Sequence, residues 1–177
     1  MLDDICKSRQ GDGQAYRRLI ERHQPAVGKL LWRFTRDRAD HEELVQEVFV
    51  QAYVSLGSYA GKAPLEHWLA KIAVRVGYSY WRKRRRLPVP LSEDDWRQLA
   101  APQPPDNEQT AEIVHRLLER LPPNDRLALT LRYLEQCDIA ETAYRTGWSQ
   151  TRVRVQTHRA IAKLKTLTQN TPIEVDW

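Results

Sequence analysis

Apolar residues recur at helical spacing along this chain, most clearly between Asp40 and Tyr53, where the sequence reads DHEELVQEVFVQAY. At roughly 100° per residue, one side of this segment is continuously apolar and carries Leu44, Val45, Val48, Phe49, Ala52 and Leu56. The spacing predicts a helix from about Ala39 to Leu56 with this side in the core.

The opposite side of the same helix carries polar side chains followed by two exposed β-branched ones: Glu43, Gln46, Glu47, Val50 and Val54. Apolar residues left on a surface often mark an interface with another protein. We therefore interpret this face as a docking surface. An ordinary solvent-facing helix is the alternative that the pattern leaves open.

The same periodicity divides the 177 residues into two helical blocks. The first holds a short helix before Gly11, a longer one through Phe34 that Pro25 is expected to bend or break, the Ala39–Leu56 helix, and a fourth that starts at Pro64. The second starts near Gln109, pauses at Pro122 and Pro123, continues through Tyr133, and ends in two segments split by Gly147. No segment has the alternation of a strand.

Between the blocks, Leu87–Glu108 contains five of the ten prolines and almost no periodic apolar pattern. The sequence therefore predicts an all-α fold of two small helical domains joined by a Pro-rich acidic linker. The expected boundaries are 1–87 for the first domain, 88–108 for a flexible linker, 109–169 for the second domain and 170–177 for a C-terminal tail.

Charge is segregated along the chain, whose net charge is +5 and whose pI is about 9.4. Pro64–Arg86 holds seven basic residues against one acidic residue, whereas Ser92–Glu112 holds six acidic residues against one basic residue. The basic segment includes the fourth helix, whose expected core side is Trp68, Leu69, Ile72, Ala73 and Val76. Gly77 weakens that helix by about 1 kcal/mol relative to Ala.

Basic and aromatic residues are interleaved on or near the outer side of the fourth helix: Lys71, Tyr78, Trp81, Arg82 and Arg85. Cations neutralise phosphates and rings stack on unpaired bases, so this face is typical of nucleic-acid binding. A solvated helix with a basic end is the alternative.

Asp138–Leu167 has the spacing of a helix-turn-helix, with a turn at Gly147 and Ser149 as the N-cap of the second helix. Its expected inward stripe is Val153, Thr157, Ala160, Leu164 and Leu167. Its outward side carries residues of the types that reach phosphates, guanine edges and thymine methyls in the major groove: Thr151, Arg152, Arg154, Val155, His158 and Arg159. A plain helical hairpin with a basic face is the alternative.

Composition argues against several classes of protein. There is no apolar run near 18 residues and no apolar signal segment at the start, which predicts a cytoplasmic protein without membrane insertion. Cys6 and Cys137 have no CxxC or Cys/His spacing, so neither a disulfide framework nor a metal site is expected. Without a glycine-rich phosphate loop, a nucleophile motif or a histidine with a partner pattern, we expect no enzyme and no cofactor.

Together these segments resemble bacterial RNA polymerase sigma factors of the extracytoplasmic-function (ECF) class. HEELVQEVFVQAY resembles the family's helix for the clamp of the polymerase largest subunit, SYAGKAPLEHWLAKIA its promoter-melting segment, and LPPNDRLALTLRYLE the opening of its fourth region. The resemblance covers nearly the whole chain, and the three motifs occur in the family's order around the acidic linker.

The resemblance implies a role for each surface. Glu43, Gln46, Glu47 and Val50 would bind core RNA polymerase, and the outward side of the last helix would read the minus-thirty-five element of promoter DNA. The minus-ten element would be captured and lined by Ser58, Tyr59, Gly61, Lys62, Lys71, Arg75, Tyr78 and Arg82. It also implies an anti-sigma partner that covers these surfaces.

Three positions depart from the family pattern. Tyr59 stands where the family usually has phenylalanine, Arg75 where it has asparagine, and Ser79 where it has aspartate. The family's minus-ten specificity therefore does not transfer to this chain. From the residues alone, a stand-alone helix-turn-helix regulator remains an alternative function, whereas an adaptor without DNA binding conflicts with the two basic faces.

Overall fold

The computed structural model describes residues 2–83, 91–100 and 108–169. The chain divides into two compact units, one formed by residues 1–83 with 144–147 and the other by the remaining residues. In the described residues all regular structure is helical, which confirms the predicted all-α fold of two domains. No described helix combines the length and apolarity needed to cross a lipid bilayer.

The first unit contains α1 (Leu2–Arg9), α2 (Gly13–Leu31), α3 (Arg38–Ser55) and α4 (Leu65–Lys83). Asp12 caps α2, because its Oδ1 accepts hydrogen bonds from the amides of Gln14 and Ala15 at 2.9 and 3.0 Å. The helix continues through Pro25, so this proline does not break it. A short 3₁₀ turn, Leu56–Ser58, follows α3 and leads into the loop before α4.

Gly77 lies where α4 crosses the buried ring of Phe34. A Cβ atom added at Gly77 would lie 2.3 Å from Phe34 Cγ, so glycine allows the close approach that packing requires. Trp81 packs against the same ring at 4.5 Å between centroids and donates from Nε1 to the Phe34 carbonyl at 2.7 Å. The assignment of Trp81 to the outer face was therefore wrong, since its indole is buried and its one donor is satisfied.

The second unit contains α5 (Glu93–Ala100), α6 (Glu108–Glu119), α7 (Pro123–Leu129), most of α8 (Ile139–Thr146) and α9 (Gln150–Gln169). Pro123 occupies the first turn of α7, and α7 continues into a π-helical turn at Thr130–Leu134. The core around α7 and α9 is built on Leu118, Leu121, Leu129 and Ala160.

A buried carboxylate joins α7 to α9. Asp125 is only 1% exposed and accepts hydrogen bonds from Gln156 Nε2 and Lys163 Nζ, both at 2.5 Å. Both donors come from α9, so this one side chain fixes the rotation of α9 about its axis relative to α7.

Helix α5 lies inside residues 88–108, the segment that the sequence pattern predicts to be a flexible linker. Ser92 and Asp95 form a reciprocal cap at its start, with Ser92 N to Asp95 Oδ2 at 2.8 Å and Asp95 N to Ser92 Oγ at 3.2 Å. Asp95 also accepts two hydrogen bonds from Arg116 of α6, at 2.5 and 3.0 Å, and Trp96 is 4% exposed. One buried aromatic side chain and one ion pair hold this helix without a longer apolar stripe.

Candidate functional site

The predicted docking face of α3 is exposed, and its opposite side is buried as expected. Glu43, Gln46 and Glu47 are exposed, and Val50 and Val54 are 58% and 81% exposed. The six apolar residues on the other side, from Leu44 to Leu56, are all buried. Two β-branched side chains this open to water suit burial against a partner.

The docking face borders a groove of about 570 Å³ between α2 and α3. Tyr16 and Ile20 of α2 line one wall, and Phe49 and Tyr53 of α3 line the other, with Gln46, Val50 and Val54 at its edge. The Tyr16 hydroxyl donates to the Phe49 carbonyl at 2.5 Å, and burial raises the pKa of Tyr16 to about 12. The phenol therefore remains a neutral donor that ties the two helices together.

Sequence reasoning missed the α2 wall of this groove. Tyr16 and Ile20 are spaced as ordinary core positions, and only their contact with α3 shows that they open onto the docking face. The sequence carried a weak signal for Tyr53, because it follows Val50 by three positions on the same helix. The structure shows that both side chains are exposed.

The loop between α3 and α4 exposes part of the predicted minus-ten set. Ser58, Gly61 and Lys62 are exposed, and Gly61 adopts a left-handed conformation with φ +69°. Tyr59 is 8% exposed; its hydroxyl donates to the Ala63 carbonyl at 2.6 Å, and its ring lies 5.4 Å from the Trp68 ring. Tyr59 therefore shapes the loop from inside.

The outer face of α4 continues from this loop as a run of cations. Lys71, Arg75 and Arg82 are exposed, and Tyr78 is half-buried. Arg75 donates to Gln51 Oε1 of α3 at 2.8 Å, which places its guanidinium where α4 meets α3. Arg85, predicted to extend this face, lies outside the described residues.

The helix-turn-helix has the predicted local geometry. Gly147 takes φ +75° at the turn, and Ser149 Oγ accepts from the Arg152 amide at 3.2 Å to cap α9. Val153 and Ala160 of the inward stripe are buried, whereas the six outward residues are exposed: Thr151, Arg152, Arg154, Val155, His158 and Arg159.

One contributor to the α9 face was missed. The Arg152 guanidinium lies over the Trp148 ring at 4.5 Å, a cation–π contact that restricts where the guanidinium can point. Trp148 precedes the N-cap and carries no periodic signal of its own. In the described part of the chain, no three His, Cys, Asp or Glu side chains come together as a metal site.

Comparison with known proteins matches each of the two units to a domain family. The model of Sigma-70 region 2 matches residues 19–87, and that of Sigma-70 region 4 matches residues 111–164. The ECF RNA polymerase sigma-E factor of Haemophilus influenzae is 34% identical over 77% of this chain and 80% of its own length. That of Escherichia coli K12 is 32% identical over 81% of this chain and 82% of its own. The chain belongs to the ECF sigma factors.

Solved structures agree on the fold of this sigma factor. CnrH, solved in complex with the cytosolic domain of CnrY, superimposes with a TM-score of 0.63 and 23% identity, covering 94% of this chain and 95% of its own. The sigma factor RpoE of Bartonella quintana, solved with the anti-sigma factor NepR, gives 0.59 and 19%, covering 88% and 97%.

Family membership decides between the functions that the residues left open. This ECF sigma factor binds core RNA polymerase, directs it to specific promoters and promotes DNA opening. The stand-alone regulator is not favoured, because the region 2 match places a second sigma-factor domain beside the helix-turn-helix. Sigma factors are non-catalytic initiation factors.

Proposed function

We propose that this sigma factor divides its work among three surfaces of the described structure. The α3 face binds polymerase, the loop before α4 together with the outer face of α4 opens and holds the minus-ten element, and the outer face of α9 reads the minus-thirty-five element. The observation that carries the proposal is the groove-edged α3 face, where Val50 and Val54 lie open beside Gln46 and Glu47.

The polymerase contact combines burial of apolar side chains with hydrogen bonds from polar ones. At about 25 cal/mol per Å² of apolar surface, covering two exposed valines stabilises a complex modestly, so Glu43, Gln46 and Glu47 supply the hydrogen bonds that select one partner. The minus-ten contact is mainly electrostatic, because Lys71, Arg75 and Arg82 present three exposed cations along one side of α4.

The α9 face combines cations with an apolar contact. Arg152 and Arg154 suit phosphate oxygens or guanine edges, and Val155, 44% exposed, suits a thymine methyl group. Asp125 holds this helix in place from behind, since both of its donors belong to α9.

The protein performs no chemistry of its own in this proposal and works in the cytoplasm, where core polymerase is found. An anti-sigma protein is its negative regulator in this proposal. The two solved relatives that share its fold were each captured with a partner, named in one case as an anti-sigma factor. The exposed valines of α3 are the surface we expect such a partner to cover.

Run-off transcription with core polymerase on a genomic promoter library tests the polymerase surface. The Gln46→Ala, Glu47→Ala double variant is expected to lose initiation at promoters that the wild type uses. The matched control is Gln10→Ala, Glu21→Ala, which also removes one amide and one carboxylate from exposed positions but lies outside the groove. Equal transcription by the two double variants would contradict the proposed surface.

Promoter binding by holoenzyme tests the α9 face. Arg154→Ala is expected to lower the affinity of holoenzyme for its promoter about 5- to 150-fold, which is the range for the loss of one good base contact. It is also expected to relax selectivity at the base pair that Arg154 contacts. Lys165→Ala removes another exposed cation of α9 and is expected to weaken all sequences equally or not at all. If Arg154→Ala weakens every sequence equally, Arg154 contacts only phosphate.

A further inference from the structure

The last residue of α1 reaches the loop that precedes α4. Arg9 Nε donates to the Leu56 carbonyl at 3.1 Å, and its Nη2 donates to the Tyr59 carbonyl. These acceptors lie 47 and 50 residues further along the chain. They bracket Gly57 and Ser58, so a single guanidinium binds the backbone on both sides of the first exposed part of the loop.

Helix α1 is itself held in place. Ile5 is 3% exposed, and Asp4 accepts from Arg18 Nε and Nη2 of α2 at 2.9 and 2.7 Å. This charge-assisted pair lowers the pKa of Asp4, so the bond persists at neutral pH. Residues 2–9 precede the region 2 match, which begins at residue 19, and that match assigns them no role.

Two further hydrogen bonds of the loop are local, and the Tyr59 ring packs against Trp68 of α4. Ser58 Oγ donates to the Ser55 carbonyl at 2.7 Å, and the Tyr59 hydroxyl donates to the Ala63 carbonyl at 2.6 Å. Both hydrogen bonds stay within residues 55–63, whereas the Tyr59 ring joins the loop to α4. Arg9 adds hydrogen bonds from α1 to the backbone, and its charge lies at the carboxyl end of α3 and the 3₁₀ turn, where the helix dipole favours a cation.

A loop that captures an extruded base must be ordered beforehand, because the energy of capture also has to offset the unstacking of that base. Ordering the loop after DNA arrives would raise the barrier to opening and would leave the earlier encounter with duplex DNA unchanged. The Arg9 contacts fix the backbone on one side of Gly61 and Lys62, while the side chains that face solvent remain open.

We propose that Arg9 is a positioning residue for DNA opening. It holds the backbone of residues 56–59 so that Ser58, Gly61 and Lys62 are presented in a fixed arrangement to the flipped base of the minus-ten element. The inference rests on the proposed role of this loop and adds an N-terminal helix to the melting apparatus.

The test compares Arg9→Gln, Arg9→Lys and the matched control Arg17→Gln in reconstituted holoenzyme. Arg17 is an exposed arginine of the same unit whose Nε pairs with Glu21 of its own helix at 3.0 Å, so the control removes the same charge without removing a hydrogen bond to the loop backbone. Promoter binding and opening are separated kinetically, with 2-aminopurine in the non-template strand of the minus-ten element reporting the unstacked base.

Arg9→Gln is expected to lower the rate of opening about tenfold, the effect of losing one or two net hydrogen bonds, with the duplex-binding constant and the affinity for core polymerase unchanged. Arg9→Lys is expected to recover part of that rate, since an ammonium keeps the charge but cannot hold two carbonyls in a planar fork. The control is expected to behave as wild type.

Two outcomes separate this inference from the proposed function of the loop. If Lys62→Ala slows opening and Arg9→Gln does not, the loop acts in melting and the positioning role is wrong. If neither variant slows opening, both the loop assignment and the inference that rests on it are overturned. Unchanged circular dichroism and melting temperature of Arg9→Gln establish that any slowing is not a loss of folded protein.

Discussion

Substituting Gly77 by alanine is expected to destabilise the first unit, although alanine favours helices by about 1 kcal/mol over glycine. The added Cβ would lie 2.3, 2.4 and 2.7 Å from three atoms of the Phe34 ring, where ordinary contact begins at 3.4 Å. The ring must therefore retreat by about 1 Å, yet it is 1% exposed and lies against Trp81. Overpacking costs about 1–3 kcal/mol, and for a whole displaced ring we take the upper value, which leaves a net loss of about 2 kcal/mol.

For a unit of this size, a loss of that amount lowers the melting temperature by about 10 °C. Thermal unfolding followed by circular dichroism measures it, with Gly13→Ala as the control, because no atom lies within 4 Å of a Cβ at Gly13. A Gly77→Ala protein that melts no lower than Gly13→Ala refutes the reasoning. A smaller penalty in a Phe34→Leu background would place the strain at that ring, since only contacting residues couple strongly.

Three further predictions concern buried or paired charges. Burial lowers the pKa of His23, so the unfolded chain binds a proton before the folded protein does as the pH falls through about 6.5. The stability of the first unit should therefore drop below that pH. If His23→Gln left the pH dependence of urea denaturation unchanged, this prediction would be contradicted. Asp125→Ala is expected to cost about 2 kcal/mol, because Gln156 and half-exposed Lys163 lose a buried acceptor; a urea midpoint equal to that of wild type would count against it. Arg116→Gln removes the partner that lowers the pKa of Asp95, and it should therefore speed amide hydrogen exchange across residues 93–100. Unchanged exchange would mean that Trp96 alone holds α5.

Periodicity was sufficient wherever a helix has one buried side and one exposed side. The two sides of α3 and the turn, cap and outer face of the helix-turn-helix follow from spacing, because the buried positions that the pattern marked are apolar, such as Val48, Val153 and Ala160. Trp81 failed this rule, since an amphipathic ring can be buried when a carbonyl such as that of Phe34 accepts its one donor.

Contacts between distant residues were beyond sequence reasoning. The pair of Arg9 with the Leu56 and Tyr59 carbonyls uses backbone acceptors, which every residue carries and which therefore leave no pattern. The assignments of individual residues to polymerase, minus-ten and minus-thirty-five contacts remain predictions.

The packing of α5 on α6 shortens the stretch of chain that connects the two domains. With α5 held by Asp95 and Trp96, only nine residues, 84–92, lie between the end of α4 and the start of α5. At about 3.5 Å per residue, that segment spans at most about 30 Å. Residues 101–107 lie between two helices that already touch, so an insertion there would leave the length of chain between the domains unchanged. An insertion of equal length within 84–92 would extend it, and homologues of different length should tolerate variation in the two places unequally.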